Sequence, residues 1–224
     1  MARDILVTGA LVPTMRYLSH LNVQGSENLE SHKTMIFAAN HVSHLDTPLV
    51  LSALPMRIRN RIAVAGAADT FFMKTCTAIT TVFAFNVIPI ERHKVNRRSA
   101  EIAQGLLTNG WHLLIYPEGG RTTTGYLGEF KGGVAYLSEK TGAVVVPTFI
   151  YGAGELRGPK YAKASKYVDA PNQNRHPVTV AFDTPLSLGE GENMRRFGVR
   201  IEHAVADLGR RVTGHDVYEH PKSA

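Results

Sequence analysis

Short apolar runs alternate with helix-like stretches from about residue 33 to residue 183. Apolar runs bounded by turn residues are typical of buried strands, and their alternation with helical stretches is typical of an α/β sheet. The predicted strands cover residues 35–39, 62–66, 87–90, 112–116, 144–150 and 178–182. The predicted helices cover residues 47–54, 69–82, 97–108 and 133–141. The pattern therefore predicts a single α/β domain with a mixed, mostly parallel sheet flanked by helices.

The two ends of the chain carry amphipathic patterns of their own. A C-terminal stripe with a spacing of three or four residues predicts a helix that packs on the sheet, and it consists of Phe197, Ile201, Val205, Leu208 and Val212. The apolar stretch 5–18 is too short and too interrupted to cross a membrane, but it suits an interfacial helix. We therefore predict an N-terminal interfacial helix segment at 1–30, the domain at 31–215 and a flexible tail at 216–224. Residues 152–177, rich in Gly, Pro, Lys and Asn, predict a long loop.

Composition narrows the class of protein. With 224 residues, 44% of them hydrophobic, the chain can bury a core without a disulfide or metal staple. Cys76 is the only cysteine, which excludes an internal disulfide and a Cys-rich metal site and favours a reducing cytosolic setting. The net charge of +6 favours an anionic partner such as nucleic acid, a phosphorylated metabolite or an anionic membrane surface. Only 8% of residues are aromatic and no recognition motif is present, so nucleic acid is not the expected partner.

The first candidate site follows the predicted strand 35–39, in the sequence Asn-His-Val-Ser-His-Leu-Asp-Thr-Pro at 40–48. His41 would lie in the turn between strand and helix, and Asp46 could fold back to one nitrogen of its ring. A carboxylate there fixes the tautomer and leaves the other nitrogen free to act as a general base. Two alternatives stay open at this point. Asp46 could simply cap the helix, or His41, His44 and Asp46 could bind zinc or iron.

A second candidate site follows the predicted strand 112–116, where Pro117 leads into Glu118, Gly119, Gly120 and Arg121. Paired glycines allow unusual backbone angles and the close approach of a ligand. The guanidinium of Arg121 matches a phosphate group, and Glu118 could orient it or hold a hydroxyl group of a substrate. The alternative is a pair of solvated surface charges.

Two further cations could add to an anion site. Arg92 comes directly after the predicted strand 87–90, where it could bind phosphate or simply be solvated. Lys131 precedes the predicted helix 133–141, and the free N–H groups at a helix start favour anions.

In this order along the chain, these residues resemble the glycerolipid acyltransferase family, specifically the 1-acyl-sn-glycerol-3-phosphate acyltransferases. That family has an Asn-His block with an Asp five residues after the His, an Ile-x-Arg block, an aromatic-Pro-Glu-Gly-Thr-Arg-Ser block and a Val-Pro block. The matching residues are Asn40, His41, Ser43 and Asp46; Ile90 and Arg92; Tyr116, Pro117, Glu118, Gly119 and Arg121; Val146 and Pro147; and, after the third block, Phe130, Lys131 and Gly132.

The resemblance implies transfer of a fatty acyl group from acyl-CoA or an acyl carrier protein to a lysophospholipid, most readily 1-acylglycerol 3-phosphate giving phosphatidic acid. It implies that His41, assisted by Asp46, deprotonates the acceptor, and that Arg92, Glu118, Gly119 and Arg121 bind its phosphate and glycerol. No cofactor or metal is expected. The sequence has no Gly-x-Ser-x-Gly elbow that would offer a serine nucleophile.

A lipid acceptor implies contact with a membrane. Residues 54–61 interleave basic and apolar side chains, which suits anionic headgroups, and residues 5–21 could supply an apolar anchor. We therefore expect a cytoplasmic protein that is peripheral on the inner face of the cell membrane. Two other readings of the chain are a metal-dependent hydrolase built on His41, His44 and Asp46, and a phospholipid-binding module without catalytic activity.

Overall fold

Within the residues that the structure describes, seven strands form a single sheet. The computed structural model describes residues 2–29, 33–67, 85–90, 97–122, 124, 126–154 and 176–218. The strands are β1 (Ser19–Gln24), β2 (Met35–Ala39), β3 (Ile62–Ala67), β4 (Val87–Ile90), β5 (His112–Ile115), β6 (Val144–Tyr151) and β7 (His176–Phe182). Their order across the sheet is β1-β7-β6-β2-β5-β3-β4.

The α-helices in the described residues are α1 (Ala2–Leu6), α2 (Val12–Leu18), α3 (Asp46–Ala53), α4 (Met56–Arg59), α5 (Arg97–Thr108), α6 (Gly133–Thr141) and α7 (Met194–Thr213). A π-helical turn, Val7–Leu11, joins α1 to α2. None of these helices is long and apolar enough to cross a membrane.

The apolar runs predict six of the seven strands, with end points that differ by at most two residues. The predicted helices 97–108 and 133–141 are confirmed as α5 and α6, and the helix predicted at 47–54 is α3, shifted by one residue. The helix predicted at 69–82, and all but the ends of the loop predicted at 152–177, lie outside the described residues. The fold is the predicted mostly parallel α/β sheet.

The direction of the strands brings the two sequence motifs together. β2 pairs in parallel with β5 on one side and with β6 on the other, so β2 and β5 both end at the same edge of the sheet. The first motif follows β2 and the second follows β5. In open α/β sheets, ligands bind at the carboxyl ends of the strands. We refer to this edge of the sheet as the carboxyl edge.

Helices cover both faces of the sheet. On one face, α2 and α3 pack on a cluster that includes Phe37, Val146 and Phe182. On the other, α5, α6 and α7 pack on a cluster that includes Ile36, Val145 and Phe197. Every residue of β2 is buried, as expected for a strand that is covered on both faces.

The prediction for the N-terminal segment is wrong from Ser19 onward. Residues 2–18 are helical, but Ser19–Gln24 form the edge strand β1, which pairs in parallel with β7. Ser19, Leu21 and Val23 are less exposed than His20, Asn22 and Gln24, which is the period of two that a half-buried strand requires. The segment 1–30 is therefore not separate from the sheet.

The predicted flexible tail is also wrong at its start. Val217 is buried against Phe149, Val205 and their neighbours, and its carbonyl accepts a hydrogen bond from the N–H of Leu127 at 2.8 Å. The hydroxyl of Tyr218 donates to Glu202 on α7. Residues 216–218 thus pack on the domain, and residues 219–224 lie outside the described part of the chain.

Candidate active site

His41 and Asp46 form the centre of the candidate site, in the turn between β2 and α3. Nδ1 of His41 lies 2.8 Å from Oδ2 of Asp46. The N–H groups of Val42 and Ser43 donate to that same oxygen, also at 2.8 Å. Asp46 is fully buried, whereas the His41 side chain is 20% exposed. With Oδ2 acting as an acceptor, Nδ1 carries the proton of the neutral ring, and Nε2 keeps a lone pair that can accept a proton.

The geometry removes both alternatives for this motif. The residue that precedes α3 is Leu45, with no side-chain cap, and the Asp46 carboxylate turns back to residues 41–43, so Asp46 is not a helix cap. His44 is exposed, and in the described residues no three His, Cys, Asp or Glu side chains are grouped as a metal site requires. His41, His44 and Asp46 therefore do not form a metal site.

Tyr116 fixes the plane of the His41 ring, a role that the sequence analysis missed. The two rings are stacked, with centroids 4.1 Å apart and planes 19° apart. The Tyr116 hydroxyl lies 2.9 Å from Oγ1 of Thr47, and burial raises the pKa of the phenol well above its usual range. The sequence feature that could have predicted this contact is an aromatic residue directly after β5, the strand that pairs with β2.

Glu118 holds the backbone around His41. Its Oε1 accepts a hydrogen bond from the N–H of His41 at 2.8 Å, and its Oε2 accepts one from the N–H of Gly128 at 2.9 Å. The His41 carbonyl in turn accepts a bond from the N–H of Thr122 at 2.8 Å. Burial raises the pKa of Glu118 to about 7, although both N–H groups act to lower it. Both carboxylate oxygens thus contact main chain, whereas the sequence suggested contact with Arg121 or a substrate hydroxyl.

Gly119, Lys131 and Arg121 surround the Glu118 turn. Gly119 has φ +75°, a backbone conformation that favours glycine, and a Cβ atom there would lie 2.5 Å from Nζ at the flexible end of Lys131. The N–H of Lys131 donates to the carbonyl of Pro117. Arg121 is exposed and directly precedes Thr122, which contacts His41. The structure thus brings His41, Asp46, Glu118, Gly119, Arg121 and Lys131 to one edge of the sheet. Arg92 lies outside the described residues.

Asn40 joins β2 to β6 beside the site, a contact that the sequence analysis did not predict. Its Nδ2 donates to the carbonyl of Ile150 at 3.0 Å, and its Oδ1 accepts from the N–H of Ile150 at 2.7 Å. A small cleft opens next to these residues. Its polar wall includes Asn40, Glu118 and Thr122, and its apolar wall includes Leu127, Phe149 and Val217.

Helix α7 anchors the loop that carries Lys131. Oε2 of Glu202 accepts a hydrogen bond from the N–H of Phe130 at 2.8 Å, and Oε1 accepts one from the Tyr218 hydroxyl at 3.2 Å. Together with the bond between Leu127 and Val217, these contacts hold residues 127–131 against α7 and the segment 216–218. No local pattern in the sequence predicts these long-range hydrogen bonds.

The residues of this site lie within a region that is shared with known proteins. A family model described as Acyltransferase matches residues 20–151. The chloroplastic 1-acyl-sn-glycerol-3-phosphate acyltransferase LPAT1 of Arabidopsis thaliana is 30% identical over 146 residues, which are 61% of this chain and 37% of that protein. A protein of Mycoplasma pneumoniae named as a probable 1-acyl-sn-glycerol-3-phosphate acyltransferase is 26% identical over 165 residues, 69% of this chain and 58% of that protein. The match thus spans less than two thirds of either relative.

A solved structure shares the fold. The crystal structure of the 1-acyl-sn-glycerophosphate (LPA) acyltransferase, PlsC, from Thermotoga maritima aligns with a TM-score of 0.65 and 20% sequence identity. The alignment covers 96% of this chain and 80% of that one. The sheet and its flanking helices therefore have a counterpart of known structure.

Proposed function

The chain belongs to the acyltransferase family, and from that premise we propose that it transfers a fatty acyl group from a thioester to the free hydroxyl of a lysophospholipid. One observation carries the proposal, namely the 2.8 Å contact between Nδ1 of His41 and Oδ2 of Asp46 within the matched region. That contact gives a partly exposed imidazole the orientation that a general base needs.

In the proposed reaction, Nε2 of His41 accepts the hydroxyl proton of the acceptor while the alkoxide oxygen attacks the thioester carbonyl. The new C–O bond forms, the C–S bond breaks, and the imidazolium returns its proton to the departing thiolate. Asp46 stabilises the imidazolium through Nδ1. The reaction is redox-neutral, and a direct attack needs no acyl-enzyme, in keeping with the lack of a Gly-x-Ser-x-Gly elbow.

The proposed acceptor is 1-acylglycerol 3-phosphate, which would give phosphatidic acid. The relatives named above are called 1-acyl-sn-glycerol-3-phosphate acyltransferases, which supports this choice. The exposed Arg121 and the Lys131 ammonium over Gly119 supply positive charge beside His41 for the phosphate. Arg92 is proposed as a further phosphate ligand on the resemblance alone. Glu118 and Gly119 shape the turn, and contact with the glycerol stays a prediction for both.

The proposed donor is acyl-CoA or an acyl carrier protein, since both present a thioester. Both donors are supplied in the test below.

We also propose that the protein works at a membrane surface. Of the eight large apolar side chains that are exposed in the described residues, five lie on α1, α2 and α4, namely Ile5, Leu6, Tyr17, Leu18 and Met56. Exposed basic side chains, Arg16 and Arg57, lie on the same elements. An apolar surface with basic residues suits an anionic bilayer, which favours peripheral binding at the inner face of the cell membrane.

The order of the strands supports access from that surface to the site. β1 is parallel to β7, β7 is antiparallel to β6, and β6 is parallel to β2. β1 therefore begins at the carboxyl edge, where β2 ends. Tyr17 and Leu18 directly precede β1, so the exposed end of α2 lies at the edge that carries His41.

Product analysis with a panel of substrates tests the proposed function. The purified chain would be given labelled palmitoyl or oleoyl groups on coenzyme A or acyl carrier protein, with lysophospholipids and glycerol 3-phosphate as acceptors. We expect labelled phosphatidic acid from 1-acylglycerol 3-phosphate, identified by mass. Thioester hydrolysis without any acylated lipid, or no turnover with any pair of substrates, would contradict the proposal.

A further inference from the structure

Arg59, the last residue of α4, is a buried cation whose hydrogen bonds are incomplete. The residue is 6% exposed. Its Nη1 donates to the carbonyl of Leu54 at 3.4 Å, and its Nη2 donates to Oγ1 of Thr8 at 3.2 Å. In the described residues, its Nε has no hydrogen-bond partner. A buried donor without a partner is costly, so such a group calls for an explanation.

Positive charge exceeds negative charge around this side chain. Arg3 is 8% exposed, and both of its Nη atoms donate to the carbonyl of Arg59 at 3.2 Å. Burial lowers the pKa of Arg59, Arg16 lowers it further, and Asp4 acts in the opposite direction. Among the described residues, Arg3 and Arg16 thus add positive charge around Arg59, and Asp4 adds negative charge. The arrangement favours an added anion.

The unpartnered Nε of Arg59 lies on the same side of the guanidinium as Nη2, which contacts the exposed hydroxyl of Thr8. Nε and Nη2 form one side of a guanidinium, and that side binds two oxygens of a phosphate at once. Thr8 accepts the bond from Nη2, so its own hydroxyl proton is available to a phosphate oxygen. Thr8 is exposed and lies in the π-helical turn Val7–Leu11, an irregularity that is frequent at functional sites.

We propose that Arg59 and Thr8 bind the phosphate group of an anionic membrane lipid, and that Arg16 adds attraction at longer range. The site rests on the proposed binding to a membrane surface, because the exposed Ile5 and Leu6 lie on the same helical segment and would enter the apolar part of the bilayer. It is separate from the acceptor site. α3 begins beside His41, and Arg59 contacts its far end at Leu54, about 12 Å away for a helix of eight residues.

Sedimentation of the full chain with vesicles tests this site. The vesicles would be phosphatidylcholine alone or phosphatidylcholine mixed with phosphatidylglycerol. Arg59→Gln and Arg16→Gln each remove one charge from the site, and Thr8→Val removes only the hydroxyl. Arg195→Gln is the matched control, because it removes the same charge from an exposed position on α7. Thermal melts show which variants fold. Since Arg16 and Thr8 are exposed, their variants keep the test decisive if Arg59→Gln does not fold.

We expect the wild type to prefer vesicles that contain phosphatidylglycerol. Arg16→Gln should weaken that binding about fivefold, Thr8→Val at least about threefold, and Arg195→Gln less than about twofold. Equal losses for Arg16→Gln and Arg195→Gln would mean unspecific attraction and would overturn the proposal. Wild-type binding by Thr8→Val would overturn it as well.

Free phosphate is the competing source of the same chemistry. Millimolar inorganic phosphate should leave the melting temperatures of the wild type and of Thr8→Val equally unchanged. If it protects the wild type and not Thr8→Val, the site binds soluble phosphate and the lipid assignment fails. Thioester turnover by the wild type is measured separately in detergent. Its absence would contradict the proposed acyl transfer, whereas the vesicle results would still decide the lipid site.

Discussion

Three contacts from two parts of the chain hold His41. Asp46 binds Nδ1, Tyr116 stacks on the ring, and Glu118 accepts the bond from the backbone N–H. Each contact restricts a different motion of the imidazole, so Nε2 keeps one direction relative to the carboxyl edge of the sheet. A general base depends on such orientation, because small displacements of reacting groups cost much of the rate.

Replacement of Tyr116 should separate the effect of the stack from that of the hydroxyl. Tyr116→Phe keeps the ring and loses the contact with Thr47, so we expect kcat within about threefold of the wild type. Tyr116→Leu loses the stack and should lower kcat by about 10- to 100-fold with little change in KM, since the ring of His41 can then rotate. Steady-state kinetics on folded variants measure this, with Thr47→Val as the matched control for the hydroxyl. Equal losses of kcat in Tyr116→Phe and Tyr116→Leu would contradict the role of the stacked rings.

The stability contributed by Glu118 should fall as the pH rises. Its pKa is about 7 in the folded protein against 4.5 in the unfolded chain, so the folded state binds more protons between these values. The contribution is complete below pH 4.5 and is lost as the pH passes 7, a change of about 3 kcal/mol. Urea unfolding of the wild type and of Glu118→Gln across this range measures the free energy of unfolding of each. As the pH rises, the value for the wild type should fall relative to that for Glu118→Gln. Parallel curves would contradict the shifted pKa.

The sequence predicts part of this site. The contact between His41 and Asp46 follows from the turn between β2 and α3, because a turn of this length lets the carboxylate fold back. The bonds that Glu118 makes with His41 and Gly128 join residues 77 and 10 positions apart along the chain. Hydrophobic patterns give the faces of elements, but they do not say which polar atoms meet at an edge.

Among the secondary-structure elements, the parallel strands β2 and β5 position the site. β2 and β5 are predicted by their apolar runs, and their pairing places His41 beside Tyr116 and Glu118. β1 escapes prediction because its alternation is short and continues directly from a helix, so the helical period extends across Ser19. The contacts of α7 with the loop at 127–131 escape it because they depend on tertiary packing.

His112 links the start of β5 to β2 and should make the fold sensitive to acid. Its Nδ1 accepts a hydrogen bond from the N–H of Met35 at 3.1 Å, and burial lowers its pKa to about 4. Between pH 6.5 and 4 the unfolded chain binds a proton that the folded chain does not. Stability is therefore complete above pH 6.5 and falls by about 3 kcal/mol as the pH drops to 4.

His112→Asn keeps an acceptor for Met35 and removes the titration. Denaturant unfolding at several pH values should show a flatter profile for this variant than for the wild type between pH 6.5 and 4. An identical slope for the two proteins would mean that His112 is protonated in the folded state.

At the scale of the whole molecule, the helical segment 2–18 connects two surfaces. One end lies by Arg59 and the other lies at the carboxyl edge with His41, while its exposed side carries four of the eight large apolar side chains that are exposed in the described residues. A protein oriented by this segment would bring a lipid acceptor from the bilayer to His41, the proposed general base.

Removal of the exposed apolar groups should weaken binding to uncharged vesicles. We expect Ile5→Ser combined with Tyr17→Ser to lower partition into phosphatidylcholine vesicles by about tenfold or more, because each side chain would bury apolar area in the bilayer. Val199→Ser is the matched control, since Val199 is 49% exposed on α7. A comparable loss for that control in the same sedimentation assay would count against a defined membrane surface.

Release of coenzyme A from palmitoyl-CoA, with 1-acylglycerol 3-phosphate as acceptor, tests most directly whether His41 is the general base. The assay compares the folded variants His41→Ala and Asp46→Asn with the matched control His44→Ala. His44 is exposed three residues from His41. We predict losses of about a thousandfold for His41→Ala and about a hundredfold for Asp46→Asn, with His44→Ala close to the wild type. Turnover by His41→Ala within tenfold of the wild type would contradict the role of His41 as general base.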